Sequence, residues 1–273
     1  MLRRLTAADL PTARRSPVDA DIVDEAARIV GDVRARGATA LRQHATRLGD
    51  LTDGAPMLYD RDALRRAWDA SAHRDLLQRV SARIRTFADA QRAAIQDVEV
   101  ALTGGSSGVC YAPVERAGCY APGGRYPLPS SVLMTAITAR AAGVQEVWVA
   151  SPRPGPETLA AAYIAGAHAL VAVGGAQAIA ALAYGAGEIR PCDVIVGPGN
   201  RWVTAAKKLV SGDVVIDMLA GPSELVVLAD GSADPSWIAA DLLAQAEHAP
   251  DALPILVTSD ALLADRVDTC LRD

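Results

Sequence analysis

Ala169-Leu-Val-Ala-Val-Gly-Gly-Ala-Gln-Ala-Ile-Ala-Ala-Leu-Ala-Tyr184 decides the fold class of this chain. The apolar run Ala169–Val173 reads as a strand buried on both faces, and Ala176 to Tyr184 reads as a helix. Between them Gly174 and Gly175 make the turn and let a ligand approach the backbone, while Gln177 offers an amide donor and acceptor. The pattern recurs at once: strand Asp193–Val196, the turn Gly197-Pro-Gly-Asn200, then a helix from Trp202 to Leu209. Outward from this pair, Ser130 to Ala142 and Pro156 to Ala165 read as helices around the strand Glu146–Ala150. Val214–Asp217, Glu224–Leu228 and Leu253–Val257 are expected strands, and Asp260 to Leu271 a final helix. Short apolar strands separated by helices are the signature of βαβ units and a parallel sheet.

The N-terminal part, from 19 to 100, reads as helical. Asp19, Ile22, Ala26, Ile29, Val30 and Val33 follow a 3.6-residue rhythm, and Gly37 suits a helix end. A second helical stretch runs from Ala63 to Gln96, with Leu77, Val80, Ile84, Phe87, Ala90 and Ile95 on its apolar face. Gly104-Gly-Ser-Ser-Gly108 breaks that pattern, and a new organisation begins near Gly118.

With a single Phe in 273 residues, the core must be built from Ala, Val, Leu and Ile, which suits helices packed closely on a sheet. A net charge of −5 with mixed signs leaves no electrostatic footprint for nucleic acid or an anionic membrane. Cys110, Cys119, Cys192 and Cys270 are far apart without a CxxC pair, so reduced thiols and a cytoplasmic location are expected. The start, MLRRLTAADLPTARR, has no apolar core of a signal peptide, and no apolar run approaches the ~18 residues that span a bilayer. A soluble protein is expected.

Individually the candidate site motifs are ambiguous. Tyr120-Ala-Pro-Gly-Gly124, ahead of a helix containing Pro129, Ser130 and Ser131, is either an ordinary connection or an anion site. Gly174-Gly-Ala-Gln177 is not GxGxxG, and no acidic residue stands at the ribose position of that fingerprint. Two Gly-rich loops at successive strand ends nevertheless fall where ligands bind open α/β sheets. Lys207 and Lys208 read as a solvated helix face. In the helix opened by Asp234 and Pro235, Asp241, Gln245 and His248 share one stripe beside an apolar arc of Ala239, Leu242, Leu243 and Ala246. Imidazole is a good zinc ligand and amide oxygen an uncommon one, so this stripe reads as solvated or as part of a metal site. Glu247 reads as exposed; His44, His73 and His168 read as structural.

Taken together, seven motifs stand in order: Gly118-Cys-Tyr-Ala-Pro-Gly-Gly124, Pro129-Ser-Ser-Val-Leu-Met134, Gly174-Gly-Ala-Gln-Ala-Ile-Ala-Ala-Leu182, Gly197-Pro-Gly-Asn200, Ile216-Asp-Met218, Ala220-Gly-Pro-Ser-Glu224 and Asp241-Leu-Leu-Ala-Gln-Ala-Glu-His248. The set closely resembles the histidinol dehydrogenases, zinc- and NAD-dependent enzymes that end histidine biosynthesis. The resemblance covers nearly the whole chain and is strongest from 118 to 251. It implies an α/β fold of two incomplete Rossmann-like parallel-sheet domains, one inserted in the other, with an N-terminal helical segment. The expected division is an arm, 1–19, a first domain, 20–119 with 223–273, and an inserted NAD-binding domain, 120–222. A homodimer with intertwined C-terminal parts is implied too.

By the same resemblance Tyr120, Gln177 and Asn200 contact NAD. Ser223, Gln245 and His248 contact the substrate, L-histidinol, and Gln245 and His248 are two of the zinc (Zn2+) ligands. The implied reaction oxidises L-histidinol through L-histidinaldehyde to L-histidine, with one hydride to each of two NAD. The family's catalytic Glu-His pair, and an Asp and a His that complete the zinc set, fall in a segment beyond residue 273. No catalytic residue is therefore assigned, and the chain is expected to be C-terminally truncated, inactive alone and a poor holder of zinc. Ala249 stands where the family commonly has Gly. Two alternatives are a related zinc- and NAD-dependent alcohol dehydrogenase acting on another substrate, such as a hydroxy-sulfonate, and a non-catalytic nucleotide-binding remnant.

Overall fold

A computed structural model describes residues 2–6, 18–52, 54–123, 128–220, 223–247 and 252–272. In chain order the elements are α1 (Ala20–Arg36), α2 (Ala38–Arg47), β1 (Leu58–Tyr59), α3 (Arg61–Ala70), α4 (Arg74–Ala93), β2 (Val98–Leu102), β3 (Gly105–Val109), β4 (Arg116–Tyr120), α5 (Pro129–Ala141), β5 (Glu146–Ala150), α6 (Pro156–Ile164), β6 (Ala169–Val171), α7 (Gly175–Tyr184), β7 (Val194–Val196), α8 (Arg201–Val210), β8 (Val215–Ile216), β9 (Glu224–Leu228), α9 (Pro235–Ala246), β10 (Leu253–Val257) and α10 (Ala261–Cys270). They form two compact units, one spanning 18–219 and the other joining the N-terminal residues to those from Ala220 on.

The larger unit is built on a six-stranded sheet in the order β1-β6-β5-β4-β7-β8. All its pairings are parallel except that of β1 with β6. Alternation along each strand divides its side chains between two cores. Ala117, Cys119, Val147, Val149 and Leu170 face the core that α3, α4, α5 and α6 cover. Tyr120, Trp148, Ala150, Ala169, Val171 and Ile195 face the core that α1, α2, α7 and α8 cover. The helices after β4 and β5 thus lie on one side and those after β6 and β7 on the other, which is the doubly wound arrangement. Helix α1 buries Ile22, Ala26, Ile29, Val30 and Val33, the residues its sequence rhythm marks out.

Strand β4 is central and covered on both faces, and its middle residues, Ala117, Gly118 and Cys119, are small. A side chain at Gly118 would begin 3.0 Å from Leu182 Cδ1 and 3.3 Å from Cys192 Sγ, so α7 packs directly against bare backbone.

Several sequence expectations are corrected. The helical stretch Ala63–Gln96 is two helices, α3 and α4, parted at Ser71, where the backbone is extended (ψ 129°). Phe87, placed on its apolar face, is 66% exposed. Gly104–Gly108 does break the helical pattern, as expected, but Gly105–Gly108 are paired residues of β3 in the antiparallel hairpin β2–β3, and β2 begins at Val98, inside the stretch expected to be helical. The domain division also differs, because 20–119 lies with 120–219 rather than with 223–273. The reason is packing: β1 and β4 belong to the central sheet and α1 covers its α7–α8 side.

In the smaller unit β9 and β10 pair in parallel. Helices α9 and α10 cover one face of the pair with Ile238, Ala239, Leu242, Leu263 and Val267, against which Leu2, Val227 and Leu256 pack. On the other face Val226 and Leu228 are exposed. The Leu2 N–H donates to Asp268 at 2.7 Å and Arg4 pairs with Asp265. Asp234 caps α9 through the Ser236 N–H at 2.8 Å, with Pro235 in the first turn, as the sequence predicts.

Burial pushes the Cys119 thiol up to about 12, tempered by a hydrogen bond with Thr135, and burial also raises the Cys192 thiol. Groups held protonated in the folded state add stability that is complete below the free-thiol value near 9.0 and is lost as pH climbs toward the folded values. The unfolding free energy from urea titration should therefore hold steady from neutral pH to about pH 8.5 and fall above it, by at most about 1.4 kcal/mol per pH unit for each thiol, with the midpoint falling in step. A midpoint flat to pH 10.5 contradicts the burial. At pH 8 a thiol reagent should label exposed Cys110 rapidly and Cys119 and Cys192 only on unfolding.

Candidate ligand cleft at the switch point

In a doubly wound sheet the loops leaving two adjacent strands for opposite faces part company, and the crevice between them receives ligands. Here those strands are β4, which ends at Tyr120, and β7, which ends just before Gly197. A cleft of about 240 Å³ lies there, lined by Tyr120, Gln177, Asn200 and Trp202, with Glu25, Asp50 and Arg153 as its charged members. The three residues expected to contact a nucleotide therefore share one cleft.

Each is held by identifiable bonds. Tyr120 is 2% exposed, and its hydroxyl accepts the Gly175 N–H at 3.2 Å. Burial pushes the phenol up to about 12, against the opposing effect of that hydrogen bond and helped by the charge of Asp50, so it stays protonated. Gln177 is 1% exposed. Its Nε2 donates to Asp50 Oδ2 at 3.0 Å, and the same oxygen accepts the Gly174 N–H at 2.9 Å. Gln177 Oε1 is buried without a hydrogen-bond partner. Such an orphan carries a desolvation cost of about 1–3 kcal/mol that a ligand donor would relieve. Asn200 is exposed and caps α8, with Oδ1 accepting from Trp202 N at 3.0 Å and Val203 N at 3.2 Å.

The Asn200 loop is clamped from below. Lys207, expected on a solvated face, is 3% exposed; Lys208 is exposed as expected. Lys207 Nζ donates to the Gly197 carbonyl at 2.7 Å and pairs with Asp217, while Asp217 Oδ2 accepts the Gly197 N–H at 2.8 Å. Gly197 is gripped at both polar groups and has φ of 114°; a side chain there would begin 2.0 Å from the Tyr120 carbonyl oxygen. The loop helix therefore starts at a fixed place beside the end of β4.

Ser223 and Gln245 belong to the smaller unit. The Ser223 carbonyl accepts the Leu253 N–H at 3.0 Å at the start of the β9–β10 ladder. Gln245 stands in the last turn of α9, and its Nε2 is buried without a partner. His248 lies outside the described residues. Among the described residues no three His, Cys, Asp or Glu converge where a metal could be held. One carboxamide does not make a zinc centre, so the described donor set does not fit zinc. Sequence reasoning missed Asp50, which reaches Gly174 from 124 residues away, and Arg153, the one non-glycine residue with positive φ (47°) among those described. It also missed the Lys207–Asp217 pair, because no local pattern marks a cation that a distant carboxylate will bury.

Sheet order and cleft define a doubly wound α/β protein with a ligand crevice at its switch point. A family profile for histidinol dehydrogenase matches residues 12–273, and the chain belongs to the histidinol dehydrogenase family. It is 48% identical over 97% of its length to a histidinol dehydrogenase of Natronomonas pharaonis, covering 65% of that protein. With the one from Thermus thermophilus identity is 46%, over 94% of this chain and 62% of the relative. The crystal structure of histidinol dehydrogenase from Elizabethkingia anophelis superposes with a TM-score of 0.81 at 31% identity, over 96% of this chain and 61% of that one. The chain thus spans between 61% and 65% of the length of these relatives.

Removing one partner of a largely buried ion pair leaves an unpaired charge. Lys207→Met should lower unfolding stability by about 2–4 kcal/mol in urea titration. A loss within about 0.5 kcal/mol would mark Lys207 as the solvated surface residue its sequence suggests.

Proposed function

We propose that this chain carries the NAD-binding part of an L-histidinol dehydrogenase, the two-step oxidation of L-histidinol through L-histidinaldehyde to L-histidine. The convergence of Tyr120, Gln177 and Asn200 on one crevice, with Gln177 Oε1 buried and unpaired, carries the reading. Bound NAD supplies the hydride acceptor. The chain's own residues bind and orient it: Gln177 Oε1 accepts from a ligand donor, Asn200 presents its amide from the cap of α8, and the protonated Tyr120 closes the floor. Trp202 and Ile29 narrow the cleft and exclude water, which strengthens each polar contact. No described residue of the cleft is assigned a proton transfer. Ser223 and Gln245 are proposed to face L-histidinol; the buried unpaired amide of Gln245 supports this, since it too wants a partner. Zinc binding through Gln245 and His248 is proposed from the family alone.

We further propose a cytoplasmic homodimer. Free thiols among the described cysteines support the location, and among the described residues no helix is long and apolar enough to cross a membrane. Val98, Val100, Leu102 and Val109 of the β2–β3 hairpin are each more than half exposed. A lone hairpin is marginal in water, which supports its burial against a second copy.

Calorimetric titration of the purified chain with NAD should show one saturable site, and Gln177→Ala should weaken it by roughly tenfold. Absence of NAD binding, or affinity unaltered by Gln177→Ala, contradicts the reading.

A further inference from the structure

The end of the cleft at α7 holds an acidic side chain where doubly wound folds usually offer bare N–H groups to a phosphate. Asp50 Oδ2 takes the Gly174 N–H, and the Tyr120 hydroxyl takes that of Gly175. Two N–H groups at the start of α7 are therefore already taken by the protein's own side chains, one of them by a carboxylate.

That carboxylate also decides which way Gln177 points. An ionised carboxylate only accepts, so the amide group turned to Asp50 must be Nε2 and the group left over must be Oε1. Both hydrogen bonds to Asp50 fall on Oδ2, which leaves Oδ1 to accept from a ligand. Beside the Tyr120 hydroxyl, the cleft wall at this end thus offers two acceptors, Gln177 Oε1 and Asp50 Oδ1. Of the charged side chains lining the cleft, Glu25 and Asp50 are negative and only Arg153 is positive. A ribose diol, with two hydroxyl donors, meets such a wall well; a phosphate dianion meets like charge at Asp50 and finds the Gly174 and Gly175 N–H groups already bonded.

We infer that Asp50 is the residue that selects an unphosphorylated adenosine ribose, by accepting its hydroxyls, fixing Gln177 as a second acceptor and repelling a 2′-phosphate. It is a specificity-determining residue reached from the α2–β1 connection, outside the βαβ unit where an acidic ribose partner ordinarily stands. The inference rests on the reading of the cleft as an NAD site. It divides the cleft into an acceptor end at Asp50 and Gln177 for the sugar and a cationic rim at Arg153 for the diphosphate.

The test compares NAD with NADP, and ADP-ribose with its 2′-phosphate, by calorimetry on the whole chain. The wild type should prefer the unphosphorylated member of each pair by roughly tenfold or more, and the preference should shrink as ionic strength rises toward about 0.5 M. Asp50→Asn keeps an acceptor for the Gly174 N–H but removes the charge, and should bring each pair within roughly threefold. Equal binding of NAD and NADP by the wild type, a preference indifferent to salt, or its survival in a folded Asp50→Asn variant overturns the assignment while leaving the NAD cleft standing. Should Asp50→Asn fail to fold, the wild-type comparison and its salt dependence decide alone. No binding of NAD to the wild type removes the cleft reading, and the assignment with it.

Discussion

A strand covered on both faces imposes the constraint from which the larger unit follows. Strand β4 has β5 on one side, β7 on the other, and a helical layer above and below. Its middle residues, Ala117, Gly118 and Cys119, must therefore be small, and at Gly118 even a methyl group would press on Leu182 and Cys192. Because parallel pairing sets Cys119 opposite Val196, the ends of β4 and β7 come level, and Tyr120 and Gly197 emerge side by side. The crevice is the consequence. Helices that follow these strands leave to opposite faces, and nothing from the sheet fills the space between their loops.

What lines that space is decided by satisfaction of buried polar groups. The Gly197 backbone is held by Lys207 and Asp217, an arrangement costly to desolvate and worth keeping only where geometry must be exact to a fraction of an ångström. Gly174, Gly175 and Gln177 are held by Asp50 and Tyr120. Once these bonds are made, Gln177 Oε1 is the buried polar group of the cleft that remains unmet. An acceptor without a donor, enclosed beside two carboxylates and one guanidinium, describes the chemistry of what should enter.

Much of this was legible in the sequence, and the physical reasons for the rest are specific. Strands β9 and β10 match the expected bounds because Leu, Val and Ile dominate both, and the helices α7 and α8 follow Gly-rich turns in which Gly175 and Gly197 have positive φ. Strand β4, the keystone, went unread: Arg116-Ala-Gly-Cys-Tyr120 has no β-branched residue, since the crowding that makes it central also removes the side chains that advertise a strand. The hairpin was missed because Gly105, Ser106, Ser107 and Gly108 look like a loop, yet pair in register with Ala101, Val100 and their neighbours. Tyr120, Gln177 and Asn200 could be nominated from motifs, but Asp50 could not. Its place beside Gly174 is a product of tertiary packing that no spacing along the chain records.

The central claim is that one crevice between β4 and β7 receives the dinucleotide. A crystal structure of the chain grown with NAD tests it most directly. The account predicts the nucleotide between Tyr120, Gln177 and Asn200, with a donor group of the ligand within hydrogen-bond distance of Gln177 Oε1. Nucleotide bound elsewhere on the chain, or in the crevice with a phosphate against Asp50, would contradict it.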